Sequence, residues 1–335
     1  MSAPLARVKS IPIDAKTYQR HALHAEGVTW VEKNCYIDVW IELVHALGCE
    51  PLAMLAFTSA IDFEGDQWTF FKPKHEELFE LYGIDVQELN LWRSLAEHVQ
   101  VHVGAGKMVA VEADAFHLPD TAGTDYQSKH TKTTIIISDF DLERRHLGYF
   151  HNAGYFELGG ADFEKLFRVG AAPDPTFMPF YAEVVRVDRL VKRSGDELRA
   201  LAKAQLAKHL ARRPKENPVA RFGAQLASDL ARLQTEGLDV YHAWAFATIR
   251  QLGAAMELLA MHLDWRGDET AKAASAEIAK VSAGSKTLIL KGARAVNSKK
   301  PLDAAAIFEE MASAYQRGLD LLTRLESGAA DRHHS

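Results

Sequence analysis

Cysteine is nearly absent from this chain of 335 residues, occurring only as Cys35 and Cys49. Two thiols cannot build a disulfide framework, and no CxxC-type metal site can form. Such sparing use fits a reducing compartment and leads us to expect a cytoplasmic protein. Long apolar runs are missing as well. No stretch approaches the eighteen or so apolar residues of a membrane span, and residues 1–13 carry Arg7 and Lys9 without the apolar core of a secretory signal. An excess of positive charge is also lacking, since 39 Lys and Arg against 45 Asp and Glu leave a net charge of −6, which argues against nucleic acid as the main partner. What remains, 47% apolar and 25% charged residues, is an ordinary globular composition in a chain long enough for two cores.

Residues 1–28 show little periodicity and read as an N-terminal arm. Next comes the stretch on which the functional reading rests, Asn34 to Gly48. Asn34 is a good helix N-cap and Gly48 a good terminator. At 100° per residue Ile37, Trp40, Ile41, Leu43, Val44 and Leu47 share one face, and Asp38, Glu42 and His45 share the other. Cys35 falls in the first turn, where unpaired N–H groups and the helix dipole favour a thiolate. Asp38, one turn on, opposes that effect if it lies close. A lone cysteine can equally be an inert buried side chain, so the reading needs a histidine and an orienting group elsewhere.

The aromatic stretch 62–71 is expected to pack in a core, and Asp85-x-x-Glu88 reads as a capping box opening a helix that runs past Trp92 to about Gly104. The period then becomes extended. Residues 108–116, 133–139, 146–151 and 155–158 read as strands, with 139–145 short enough for a hairpin. The Pro-rich segment 170–179 reads as a boundary, with one more strand at 180–187. Beyond it the sequence is helical: Ser194-x-x-Glu197 caps one helix, Asn217-Pro218 starts another, and residues 238–265, 269–291 and 302–325 complete a bundle. The fold class expected is therefore α+β, a helix packed on an antiparallel sheet followed by an all-α helical bundle. The parts are an arm (1–28), the α+β domain (29–175), a linker with a strand (176–195) and the bundle (196–326).

His130 precedes one strand of the hairpin and Asn152 follows the other, so pairing should make them neighbours. A histidine oriented by an amide and facing a thiol at a helix start is a papain-type Cys-His-Asn arrangement, with Cys35, His130 and Asn152 in those roles. Alternatives stay open at this point. His117 or His151 can serve as the base, and Asp114 or Asp139 as the orienting group. His117, His130, His151 and Asp125 have metal-ligand chemistry without diagnostic spacing, so no metal is expected.

Asn34-Cys35 at a helix start, the stretch Asp114 to Pro119 closing a strand, and His130 before Thr134-Ile135-Ile136-Ile137 resemble the papain-like domain of acyltransferases of the butirosin-pathway kind, over roughly residues 30–155. The whole chain also resembles a bacterial family encoded beside amino acid:carrier protein ligases and small carrier proteins, chiefly in the segments beginning at Cys35, Asp62 and His130. The resemblance implies a papain-like fold and transfer of an aminoacyl group from a carrier-protein thioester to an amine. It implies no cofactor other than the phosphopantetheine arm of the carrier, and it implies the carrier and its ligase as partners. The chain departs from the pattern in its long loop before His130 and in offering Asn152 where aspartate is commoner. No glutamine precedes Cys35 as oxyanion donor, leaving the Cys35 N–H and Asn34 for that role. Residues 278–302 hold six cations and no acid. Of these, Lys286, Lys291, Arg294, Lys299 and Lys300 form a patch suited to docking an acidic carrier protein, although a solvated helix face has the same composition.

Overall fold

The structure, a computed structural model, describes residues 8–172, 174, 176–193 and 195–330. In chain order its strands are β1 (Val8–Lys9), β2 (Phe63–Glu64), β3 (Gln67–Trp68), β4 (Asp85–Glu88), β5 (Met108–Asp114), β6 (Lys132–Asp141), β7 (His146–His151), β8 (Gly154–Gly159) and β9 (Ala182–Arg186). The helices are α1 (Cys35–Ala46), α2 (His75–Tyr82), α3 (Leu95–Gly104), α4 (Gly160–Leu166), α5 (Gly195–Leu210), α6 (Pro218–Glu236), α7 (Leu238–Ala247), α8 (Ile249–Arg266), α9 (Glu269–Ser298) and α10 (Ala305–Ala330). They divide into two compact units, and the chain crosses between them repeatedly. One holds residues 8–26, 34–51 and 75–193, and the other holds 27–33, 52–74 and 195–330.

The first unit is built on an antiparallel sheet in the order β4-β9-β5-β6-β7-β8, with β1 also paired to β6. β1 takes up the edge of β6 beyond the pairing with β5, at Val8↔Phe140 and Lys9↔Asp139. The β-branched run of β6 is buried along almost its whole length because both faces of the sheet are covered. Alternation sends Thr134, Ile136 and Ser138 toward α1. Ile135 and Ile137 join Val109, Val111, Val99 and Phe163 in a core on the opposite face.

α1 begins as the sequence requires: the Asn34 carboxamide oxygen accepts from the N–H groups of Tyr36 at 3.1 Å and Ile37 at 3.0 Å. Its expected polar face is a correction, because Asp38 and Glu42 are fully buried. They are covered by the segment expected to be a loose arm, which packs Ile11, Leu23 and His24 into the unit. The expected helix from Asp85 is a second correction. Asp85–Glu88 pairs with β9 as a strand, and α3 instead opens at Ser94, whose side chain and Glu97 form a reciprocal capping box. The sheet does not end at the Pro-rich stretch 170–179 either, since β9 is hydrogen-bonded between β4 and β5 and holds the unit together as far as Arg193. Pro173 and Pro175, and the Ser194 cap, lie outside the described residues.

The second unit is helical apart from the β2–β3 hairpin, whose Phe63 and Trp68 rings lie 5.2 and 5.7 Å from Phe222 of α6. The expected helix over 238–265 breaks at Thr248, whose hydroxyl donates to the Trp244 carbonyl at 2.7 Å. Trp30 packs against α8 and α9, its indole N–H donating to the Ser282 hydroxyl at 2.9 Å. Among the described residues no helix is long and apolar enough to cross a membrane.

Candidate active site

Cys35 is the first residue of α1, half-buried, with its sulfur 3.9 Å from the Thr134 hydroxyl of β6. Because Thr134 pairs with Glu112 and Lys132 with Asp114, all four side chains share with Cys35 the sheet face that α1 covers. The Asp114 carboxylate lies 2.7 Å from Nδ1 of His130, and the imidazole stacks on Phe116 at 4.3 Å between centroids. That contact fixes the ring and directs Nε2 as the proton-accepting nitrogen. The His130 side chain is 71% exposed, so it meets solvent and any ligand at the edge of this face. Thr134 lies four positions after His130, up to about 13 Å of extended chain. Among the described residues the sulfur has no hydrogen bond to an imidazole, and its hydrogen-bonding neighbour is Thr134.

The other candidates are sorted by the same register. Asn152 lies in the two-residue turn between His151 and Gly154 at φ 44°, a left-handed position that asparagine tolerates, and the group on His130 is Asp114. The pairing argument failed by a short distance: β6 runs three residues past the end of β7, so His130 lies beyond the last residue that β7 can face. His151 pairs with Ile135 and therefore points to the opposite face. There, buried, it contacts the Asp120 carboxylate at 2.5 Å through Nδ1 and the Thr133 hydroxyl at 2.8 Å through Nε2. Tyr149 also donates to Asp120, so this network pins the loop carrying His130 to the sheet. His117 stands beside His130 at 6.4 Å between rings. Burial lowers its pKa, with Asp114 acting in the other direction.

Asp139 is buried five residues further along β6, where His146, Glu157 and Lys9 surround it. Asp139, His146 and Glu157 offer three ligand atoms within 4.8 Å of one another, but the Lys9 ammonium is 3.9 Å from both carboxylates and already supplies the positive charge.

A second group beside the thiol was not foreseen. Tyr36 donates to the buried Glu183 of β9 at 2.9 Å, Tyr181 donates to the same carboxylate at 2.8 Å, and His75 Nε2 stands 2.8 Å from the Tyr36 oxygen. Burial, followed by the Glu183 charge, pushes the Tyr36 hydroxyl well above its ordinary pKa. Tyr36 was legible as a helix residue, but Glu183 lay in what reads as a linker and nothing in the sequence joins it to His75.

In the second unit Lys286, Lys291, Arg294, Lys299 and Lys300 are exposed on α9 and at its end. Leu290, 67% exposed, stands between Lys286 and Arg294 on one helical face. Lys280 belongs to an ion pair with Glu277 at 2.8 Å.

Residues 19–187 match the DUF1839 N-terminal domain and residues 195–324 the DUF1839 C-terminal domain. The division between them falls where the first unit ends. No curated protein matches the chain.

Proposed function

Taking as premise that this chain belongs to the DUF1839 family, we propose that it is a papain-like, cysteine-dependent acyltransferase that moves an aminoacyl group from a carrier-protein thioester to an amine. The observation that carries this reading is the placement of Cys35, at the N-terminus of a buried helix, on the same sheet face as an Asp114–His130 pair. In this reading His130 Nε2 takes the Cys35 proton and the thiolate attacks the thioester carbonyl. The tetrahedral oxyanion is met by the Cys35 N–H, because the Asn34 oxygen already engages the next two donors of the first turn. Collapse breaks the bond to the phosphopantetheine sulfur, which leaves with the proton from His130. The amine then attacks the acyl-enzyme, His130 accepts its proton, and that proton returns to Cys35.

Thioester exchange onto a thiol is nearly isoenergetic, so the modest activation available here suffices. The cations of α9 around Leu290 would dock an acidic carrier protein, with its amino acid ligase as a further partner. Incubation with aminoacyl-loaded carrier should give an intact-mass adduct that Cys35→Ala abolishes. Equal absence of an adduct in both proteins, across several aminoacyl carriers, would remove the nucleophile assignment.

One observation favours a second reading: the sulfur neighbours Thr134 rather than an imidazole. A non-catalytic carrier-binding module would keep its affinity in Cys35→Ala and lose it when Lys286, Lys291 and Arg294 are replaced. The same Cys-His pair acting with water as acceptor is a hydrolase, and free acid released from the acyl-enzyme would reveal it.

A further inference from the structure

On the sheet face opposite Cys35 the first unit contains a cavity of about 260 Å³. Leu91, Leu95 and Phe180 form part of its wall, where the core of the α3 side reaches the surface, and Leu166, Phe177 and the carboxylate of Asp174 also line it. Two guanidinium groups belong to the same cavity. Arg93 follows the exposed Trp92 and lies 5.1 Å from its ring, and among the described residues no carboxylate forms an ion pair with it. Arg168 lies 4.3 Å over the Phe177 ring and meets Asp174 only at 3.5 Å, with both side chains well exposed. An apolar recess with a few convergent polar groups is the usual form of a small-molecule site.

The backbone at Arg168 is a second, independent observation. Arg168 follows the C-cap of α4 at φ 53°, a left-handed conformation where helices commonly place glycine. Retaining a β-carbon there is unfavourable locally, and strain of this kind is concentrated at functional positions. What the side chain supplies in return is a guanidinium at the mouth of an apolar cavity.

We infer that this cavity binds an apolar monocarboxylate, with the carboxylate held by Arg168 and Arg93 and the hydrocarbon against Leu95, Leu166 and Phe180. The forked guanidinium geometry matches a carboxylate, and the apolar wall beside it suits a hydrocarbon chain. The site is separate from Cys35, and nothing in its recognition depends on the thiol.

Titration of the full chain with linear alkanoates of six to twelve carbons, followed by calorimetry, tests this inference. Affinity is expected to rise about fourfold per added methylene and to level off once the chain outgrows the cavity. Decanoate should bind about tenfold more tightly than decanol. Arg168→Gly should lose that preference while melting at the same temperature or higher, because glycine relieves the left-handed strain; a purely structural arginine would show the reverse. Arg93→Gln should weaken the carboxylate and leave the alcohol unchanged. Cys35→Ala should bind as the parent does, so failure here and failure of the acyl-transfer reading are separate results. Absence of saturable decanoate binding, equal affinity for decanol, or unchanged binding by Arg168→Gly would each overturn the inference.

Discussion

Replacement of His24 should release the helix that carries Cys35. His24 is fully buried, with Nδ1 against the Glu42 carboxylate and Nε2 3.1 Å from Asp38, and both acids are buried with it. One ring thus ties together two acids one turn apart on α1. Tyr18 donates to Glu42 at 2.5 Å and the His21 N–H does so at 3.1 Å, which completes the coordination of that carboxylate. Burial alone would raise the pKa of Glu42, but the hydrogen bond and charge of His24, with the Tyr18 and His21 bonds, hold it below the usual carboxylate range.

His24→Leu breaks the buried contacts to Glu42 and Asp38, at a cost of about 3–5 kcal/mol. Against a typical domain stability of about 5–15 kcal/mol, this loss would be plain in urea unfolding and in faster amide exchange across α1. A variant that also carries Asp38→Asn and Glu42→Gln removes the acids' charges and should regain part of the loss. The sign of the pH dependence follows from Glu42. Because its folded pKa is depressed, its contribution is complete above the ordinary carboxylate range and is lost as pH falls through the lowered folded value. A His24→Leu shift under about 1 kcal/mol with α1 exchange unchanged would refute the clamp.

Three further outcomes are expected. Asp114→Asn should leave the fold intact and slow acyl transfer by about 10²–10⁴, as a misoriented general base does, measured in single turnover with loaded carrier. Gly253→Ala should destabilise the helical unit by about 1–3 kcal/mol in thermal unfolding, because its β-carbon would stand 2.4 Å from the Trp30 ring and 2.9 Å from Ser285. His262 is buried, with Nδ1 2.7 Å from the Leu52 carbonyl. Burial lowers its pKa to about 4 against the bond to Leu52, so the helical unit should lose stability as pH falls from 6.5 toward 4. The loss reaches at most about 3 kcal/mol, and His262→Gln should flatten this limb in pH-dependent melts.

Local signals carried much of this molecule in its sequence. The Asn34 cap, the first-turn position of Cys35, the β-branched run of β6 and the hairpin to β7 are all readable because each depends on neighbours within about ten residues. The break in 238–265 falls at Thr248, whose hydroxyl bonds back to Trp244, whereas the strand at 85–88 was decided by a tertiary contact and not by local propensity. Asp85–Glu88 becomes β4 only because β9, almost a hundred residues later, supplies its hydrogen-bond partner.

Composition and period likewise indicated that α1 would bury an apolar face, but they could not indicate that its acidic face is buried too. The His24 ring that contacts both acids comes from a segment without periodicity. The site divides in the same way. Sequence alone determined the types of group at hand and their distances along the chain: a thiol at a helix start, several histidines and several acids. Only the folded sheet decided which of them meet, because one residue of register chooses a face. Thus Asp114 reaches His130, His151 is turned away, and Glu183 of β9 comes to Tyr36 of α1 and His75 of α2, elements that no local pattern connects.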